Sequence, residues 1–300
     1  MILAMPAPAP SSRTFTAQGL RLHYLDWGNE GAPLLILQHG GRDHCRSFDR
    51  VAEQLRHDWH VIAPDLRGHG DSDWSPDADY SLSSLVYDFA QLVHTLGAER
   101  VAVIGHSLGG NVVARFAGLY PERVARMVNI EGLGFTPRTV SARAERGYAE
   151  RMRRWIEKRR AIAARPRRAY PDFASALARM KDANAHLSDE QARHLTLHGL
   201  RRNEDGTLSW KYDRMINAWH PVDATLEEIR AVWAAITCPC LLLWGRDSFF
   251  SSPDEDGRLE SFRDATLHLY AGAGHWLHHD QFDRFMADVK AFLGPPAPNG

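Results

Sequence analysis

The sequence predicts an α/β fold: a mostly parallel sheet with helices on both faces and a helical cap inserted after the sixth strand. Three observations lead there. Short apolar runs of strand length recur along the 300 residues and alternate with stretches of helical periodicity. One such run leads directly into Gly105-His106-Ser107-Leu108-Gly109 and then into a helical pattern. From residue 134 to residue 235 the strand-like runs stop, and helical periodicity takes over.

In chain order, residues 13–17 and 20–27 flank a Gln18-Gly19 turn signal and predict an antiparallel hairpin. Runs at 34–38, 60–63, 101–104, 124–130, 240–244 and 265–270 have the continuous apolar character of strands buried on both faces. Residues 83–96 place Leu85, Phe89, Leu92, Val93 and Leu96 on one helical face, and a second helix is expected over 111–120. Within 134–235, Tyr148, Met152, Trp155 and Ile156 share a face, as do Phe173, Leu177 and Met180. Ser188 with Gln191 reads as a capping box opening a helix at Asp189. The expected organisation is a tail at 1–12, a core of 13–133 with 236–293, a cap of 134–235, and a tail at 294–300.

Composition narrows the function. With 36 Lys+Arg against 37 Asp+Glu the net charge is −1, too balanced for whole-chain attraction to nucleic acid or an anionic membrane. No apolar run reaches the length of a membrane span, and prolines at 6, 8 and 10 interrupt any signal-peptide pattern. Three cysteines, Cys45, Cys238 and Cys240, do not make a disulfide scaffold, so a cytoplasmic protein acting on a small molecule is expected. No cofactor is expected, and composition leaves the oligomeric state open.

The chemistry sits at Ser107. A G-x-S-x-G string between a strand and a helix forces a sharp, strained turn, with small residues two positions either side so that strand and helix can approach. The turn lifts the serine Oγ clear of the sheet, as a nucleophile requires.

With that elbow, the chain resembles the α/β-hydrolase family from residue 13 to residue 293. The resemblance rests also on His39-Gly40-Gly41 after the third strand, the loop Asp65-Leu66-Arg67-Gly68-His69-Gly70-Asp71-Ser72, Trp244-Gly245-Arg246-Asp247, and Gly274-His275-Trp276. It implies a catalytic triad of Ser107, Asp247 and His275 in that chain order, with the backbone N–H groups of Gly41 and Leu108 as the oxyanion hole. Glu131, at the end of the sixth strand, is the alternative acid, because some members supply the carboxylate from there. A serine nucleophile argues against the epoxide hydrolase and haloalkane dehalogenase branches, whose nucleophile is Asp. The 170–213 segment is similar to the serine hydrolase-like branch. Hydrolysis of a small carboxylic ester or lactone is the leading expectation. C–C bond hydrolysis of ring-cleavage products and cofactor-independent haloperoxidase or perhydrolase activity are the enzymatic alternatives, and a ligand receptor on a hydrolase fold is the non-enzymatic one.

Arg42, His106, Tyr148, Met152, Trp155, Phe173, Trp210 and Trp276 are the expected pocket residues. Asp65, Arg67, His69 and Ser72 suit a hydrogen-bonded tight loop. The His194/His198 pair and the His275, His278, His279 and Asp280 group lack a complete metal-ligand set, so no metal is expected. Residues 138–168 hold twelve basic residues against three acidic ones. They are read as a solvated outer face lying outside the pocket, so that neutral esters react at least as well as anionic ones.

Overall fold

The fold is that of a computed structural model describing residues 9–295. The strands of the main sheet are β1 (Ser11–Ala17), β2 (Leu20–Asp26), β3 (Leu34–Gln38), β4 (His60–Pro64), β5 (Val101–His106), β6 (Val124–Ile130), β9 (Cys240–Gly245) and β10 (Ala265–Tyr270). Two further short strands, β7 (Leu200–Arg202) and β8 (Leu208–Trp210), form a separate antiparallel pair. The α-helices are α1 (Asp49–Leu55), α2 (Leu82–Thr95), α3 (Leu108–Leu119), α4 (Pro137–Ala144), α5 (Tyr148–Ala164), α6 (Phe173–Ala183), α7 (Asp189–Gly199), α8 (Leu226–Ala234), α9 (Leu277–Asp280) and α10 (Phe282–Leu293).

The sheet order is β1-β2-β4-β3-β5-β6-β9-β10. β1 and β2 pair antiparallel, β2 meets β4 antiparallel, and every pairing from β4 to β10 is parallel. Alternation along the central strands explains why their sequences read as unbroken apolar runs. Leu34, Ile36, Val101 and Val103 enter one core cluster with α2, α3 and Trp233. Leu35, Leu37, Ala102 and Ile104 enter a second, with α1 and α10. Each fully buried branched side chain of this kind contributes about 1.5–3 kcal/mol, so both helix layers are held by the sheet that separates them.

The expected hairpin forms, but β1 begins at Ser11, so the proposed tail boundary at residue 12 falls inside a strand. The rest of the two tails, residues 1–8 and 296–300, lies outside the described residues. The 134–235 segment departs from an all-helical reading through β7 and β8, three residues each and too short to register as periodicity. Its last helix, α8, packs on α3 and buries Trp233 in the core, so sheet-side packing resumes before residue 235. The capping box at Ser188 and Gln191 is present. No helix among the described residues is long and apolar enough to cross a membrane.

Candidate active site

Ser107 stands between β5 and α3 with φ +52° and ψ −116°, a conformation an L-residue adopts only at a cost of about 1–3 kcal/mol. The flanking glycines show what imposes it. A β-carbon at Gly105 would come within 2.8 Å of the Gly109 carbonyl oxygen, and one at Gly109 within 2.4 Å of the carbonyls of Gln38 and His39. The start of α3 is therefore pressed against the ends of β3 and β5, and the serine between the glycines takes up the strain. Leu108 is the first residue of α3, so its amide has no intrahelical acceptor. The Gly40-Gly41 turn lies over this corner: a side chain at Gly40 would meet Ser107 Cβ at 3.1 Å, and one at Gly41 would meet Leu108 Cδ2 at 3.7 Å.

His275 is buried, and its Nδ1–H donates to Glu131 Oε2 over 2.6 Å. Phe249 and Phe250 pack on the ring at 4.7 and 5.4 Å between centroids, and His106 lies 4.8 Å away, its Nε2–H donating to the His275 carbonyl. Glu131 directly follows β6, with φ +48° and a buried side chain. Its Oε1 accepts from the Gly245 amide at 2.7 Å, and Oε2 also accepts from Ser248 Oγ at 2.5 Å. Burial pushes the Glu131 carboxyl up to about 7, against the lowering effect of those two hydrogen bonds. Burial likewise pushes His275 down to about 4, with nearby His186 adding to it, so the imidazole is neutral at pH 7, and Nε2 carries the lone pair when Glu131 is ionised.

The carboxylate on His275 is thus that of Glu131, which corrects the expectation of Asp247. In the Gly245-Arg246-Asp247-Ser248 turn the Asp247 amide donates to the Ala273 carbonyl, and its side chain is exposed on the outside of the turn. Ser248 is the residue of that turn directed at the site.

Ser107, His275 and Glu131 line one cavity of about 530 Å3. Of the expected pocket residues, Arg42, His106 and Trp276 line it, and Tyr148, Met152, Trp155, Phe173 and Trp210 do not. The reason is the path of the inserted segment. Tyr148 is exposed, Trp155 turns its ring to His220, Phe173 lies under Arg193, and Trp210 Nε1 donates to Tyr170 Oη. The roof is made instead by α4 and by residues 216–226, including Phe135, Val140, Ile216 and Trp219. Arg143 and Arg151 also line the cavity, contrary to the reading of the basic run as wholly external.

Other candidates resolve into structure. Asp65 accepts from His23 Nδ1 and the amides of Cys45 and Asp71, Arg67 forms a two-pronged pair with Asp88 at 2.6 and 2.7 Å, and Ser72 Oγ donates to the Asp65 carbonyl. Asp49 joins His194 and His198 within 4.8 Å, but the Arg46 guanidinium is part of the group and makes it an ion-pair network. Arg42 and Asp43 reach the cavity, whereas His44 Nε2 is tied to the Leu195 carbonyl.

The alpha/beta hydrolase fold family matches residues 33–282. A serine hydrolase-like protein of Danio rerio is 30% identical over 284 residues, covering 91% of this chain and 85% of its own length. An esterase of Mycobacterium tuberculosis is 28% identical over 277 residues, covering 90% and 85%. The solved structure of that esterase, reported with transition metal inhibition, superposes with a TM-score of 0.75 at 26% identity, covering 95% of this chain and 92% of that one. Epoxide hydrolase 4 of Mus musculus is 26% identical over 285 residues, covering 92% and 77%.

Proposed function

This chain belongs to the alpha/beta hydrolase fold family, and from that premise we propose that it is a serine hydrolase cleaving a small carboxylic ester or lactone through an acyl-enzyme. The observation that carries the reading is the shared cavity. A serine strained at a helix start faces the same space as a neutral histidine whose other nitrogen is bonded to a buried carboxylate. The similarity to a bacterial esterase supports the same chemistry.

In this reading His275 Nε2 takes the Ser107 proton as Oγ attacks the carbonyl, then delivers it to the leaving alcohol. Glu131 holds Nδ1–H and so keeps the lone pair on Nε2, and it stabilises the imidazolium that forms. The backbone N–H groups of Leu108 and Gly41 receive the developing oxyanion, a donor of this kind being worth about 3 kcal/mol. The rings of Phe249 and Phe250 pack against His275 and help to hold its orientation. Water then enters the leaving group's place and repeats the sequence to release the acid. The 134–235 segment acts as a cap that selects the acyl or alcohol group.

An epoxide hydrolase reading has a relative in its favour, but its covalent step requires a carboxylate nucleophile, and position 107 is serine. Fluorophosphonate adduct mapping together with turnover of 4-nitrophenyl esters tests the proposal. An adduct on Ser107 and loss of both labelling and turnover in Ser107→Ala are expected. A Ser107→Ala protein that labels and turns over like the parent overturns it.

A further inference from the structure

At the end of the cavity under α4 and α5, two cations, Arg143 and Arg151, stand without an ion-paired carboxylate of their own. The Arg143 guanidinium, half-buried on α4, makes one hydrogen bond, from Nη2 to the His220 carbonyl at 3.3 Å, and lies 5.0 Å over the Phe135 ring. Arg151, from the first turn of α5, makes one, from Nη1 to the Arg146 carbonyl at 2.8 Å. A guanidinium carries five N–H donors, so most of the donors on both side chains are unspent. Among the described residues neither arginine forms an ion pair.

The carboxylates facing the same space are already committed. Asp223 is clamped by both Nη atoms of Arg115 at 2.9 and 2.8 Å. Glu131 is bound by His275, Ser248 and the Gly245 amide. Asp43 accepts from the His44 amide at 2.8 Å, and burial pushes its carboxyl up. Burial lowers the Arg143 guanidinium from its usual range; Asp223, already clamped by Arg115, offsets part of this, and the like charges of Arg146 and Arg151 add to it, a balance that a further anion would improve.

We propose that this end of the cavity is an anion subsite, with Arg143 as its main cation and Arg151 beside it, and that the substrate carries a free carboxylate at a distance from the scissile carbonyl. The inference rests on Ser107 being the nucleophile. Scale follows from α3, which runs from the nucleophile toward Arg115 and its partner Asp223. Arg115 lies seven residues beyond Leu108, about 10 Å at 1.5 Å per residue. Arg143 feels the charge of Asp223 at that far end, so the subsite calls for a carboxylate several bonds from the scissile carbonyl. An apolar middle, lined by Leu133, Phe135 and Val140, suits a methylene spacer. The guanidinium fork matches a carboxylate in two hydrogen bonds, and its half-burial limits screening by solvent.

The test compares the 4-nitrophenyl monoester of adipic acid with its methyl diester, two substrates of equal spacer length that differ in the terminal charge. The monoester is expected to show a kcat/KM about ten-fold higher, expressed mainly in KM. Arg143→Gln is expected to lower kcat/KM for the anion about ten-fold more than for the diester, and Arg143→Lys to recover part of the difference. Equal rates for the two substrates, or an equal loss on both in Arg143→Gln, overturn the subsite. If neither ester is turned over, the ester reading fails separately, and the subsite is decided by ligand binding. Hexanoate, and not hexanol, should then raise the unfolding temperature of the parent and not of Arg143→Gln, and absence of that difference overturns it.

Discussion

The Ser107 amide donates to the Ile130 carbonyl at 2.8 Å, which sets Ser107 beside Glu131, the residue that follows Ile130. Both leave adjacent parallel strands in the left-handed region, at φ +52° and +48°. Two strained residues at neighbouring strand ends bring the Ser107 side chain and the Glu131 carboxyl to one cavity, with His275 arriving from the loop after β10 to join them.

Glu131→Gln is expected to reduce kcat by a factor on the order of 10^3 to 10^4, as loss of the tautomer-holding carboxylate does in a triad. Asp247→Asn, on an exposed side chain, should change kcat less than about two-fold. Steady-state kinetics of the two variants decide the point, and the reverse ranking would return the acid to Asp247.

Activity should fall as pH drops, because a proton added to the His275–Glu131 pair either makes the imidazole cationic or, on the Glu131 oxygen that faces Nδ1, sends the ring proton to Nε2. The first proton is taken at the group with the higher value, the Glu131 carboxyl at about 7, so kcat/KM should rise with pH through a limb near neutrality. Removing that carboxyl in Glu131→Gln leaves His275, held low by burial, and moves the limb toward acid pH. Ser248→Ala removes a bond that lowers Glu131 and should move the limb the other way. A pH–rate series on the three proteins reads these shifts, and a limb that stays in place in Glu131→Gln contradicts them.

Stability should decline below about pH 6.5. His39 and His279 are held by burial at about 3 and His69 at about 4, so each is neutral in the fold and charges only when the chain unfolds. The unfolded state then binds the extra protons. Each such histidine costs about 1.4 kcal/mol per pH unit below its unfolded value until its folded value is reached. Urea midpoints between pH 7 and pH 5 measure this, and a flat series would exclude neutral buried imidazoles.

Gly109→Ala should prevent the elbow from closing, because its β-carbon would stand 2.4 Å from two backbone carbonyls that have no rotamer to escape into. A loss of stability of several kcal/mol is expected, well above the half-kilocalorie scale of an ordinary surface change. A parent-like unfolding midpoint would show that α3 does not press on β3.

The sheet and the strained turn at Ser107 were legible because each follows from short-range pattern. Continuous apolar runs mark strands buried on both faces, and Gly105-His106-Ser107-Leu108-Gly109 encodes its own turn. Glu131 was legible only as an alternative acid, since nothing in the sequence shows that residue 131 takes a positive φ or that the turn after Gly245 points Asp247 outward. The pocket roof was read wrongly for a related reason. Periodicity identified the apolar faces of α5 and α6 but not which neighbour they meet, and Trp155 and Phe173 spend theirs on His220 and Arg193. Arg143, seen as one charge in a basic run, gains its meaning only from the direction in which α4 faces.

The turn after β9 supports the acid without supplying it, and this makes the two tasks separable. Its Gly245 amide and Ser248 hydroxyl grip a side chain that originates after β6, three strands earlier in sequence yet next door in the sheet. Ser248 Oγ already stands 2.5 Å from the oxygen that touches His275, so a carboxylate grafted at 248 would occupy nearly the same point in space as the one from 131. The turn carries an aspartate one residue out of phase with that point. Relocating the triad's acid between the two strand ends is therefore a one-residue matter of register, and the pair Glu131→Gln with Ser248→Asp is the natural place to begin redesigning it.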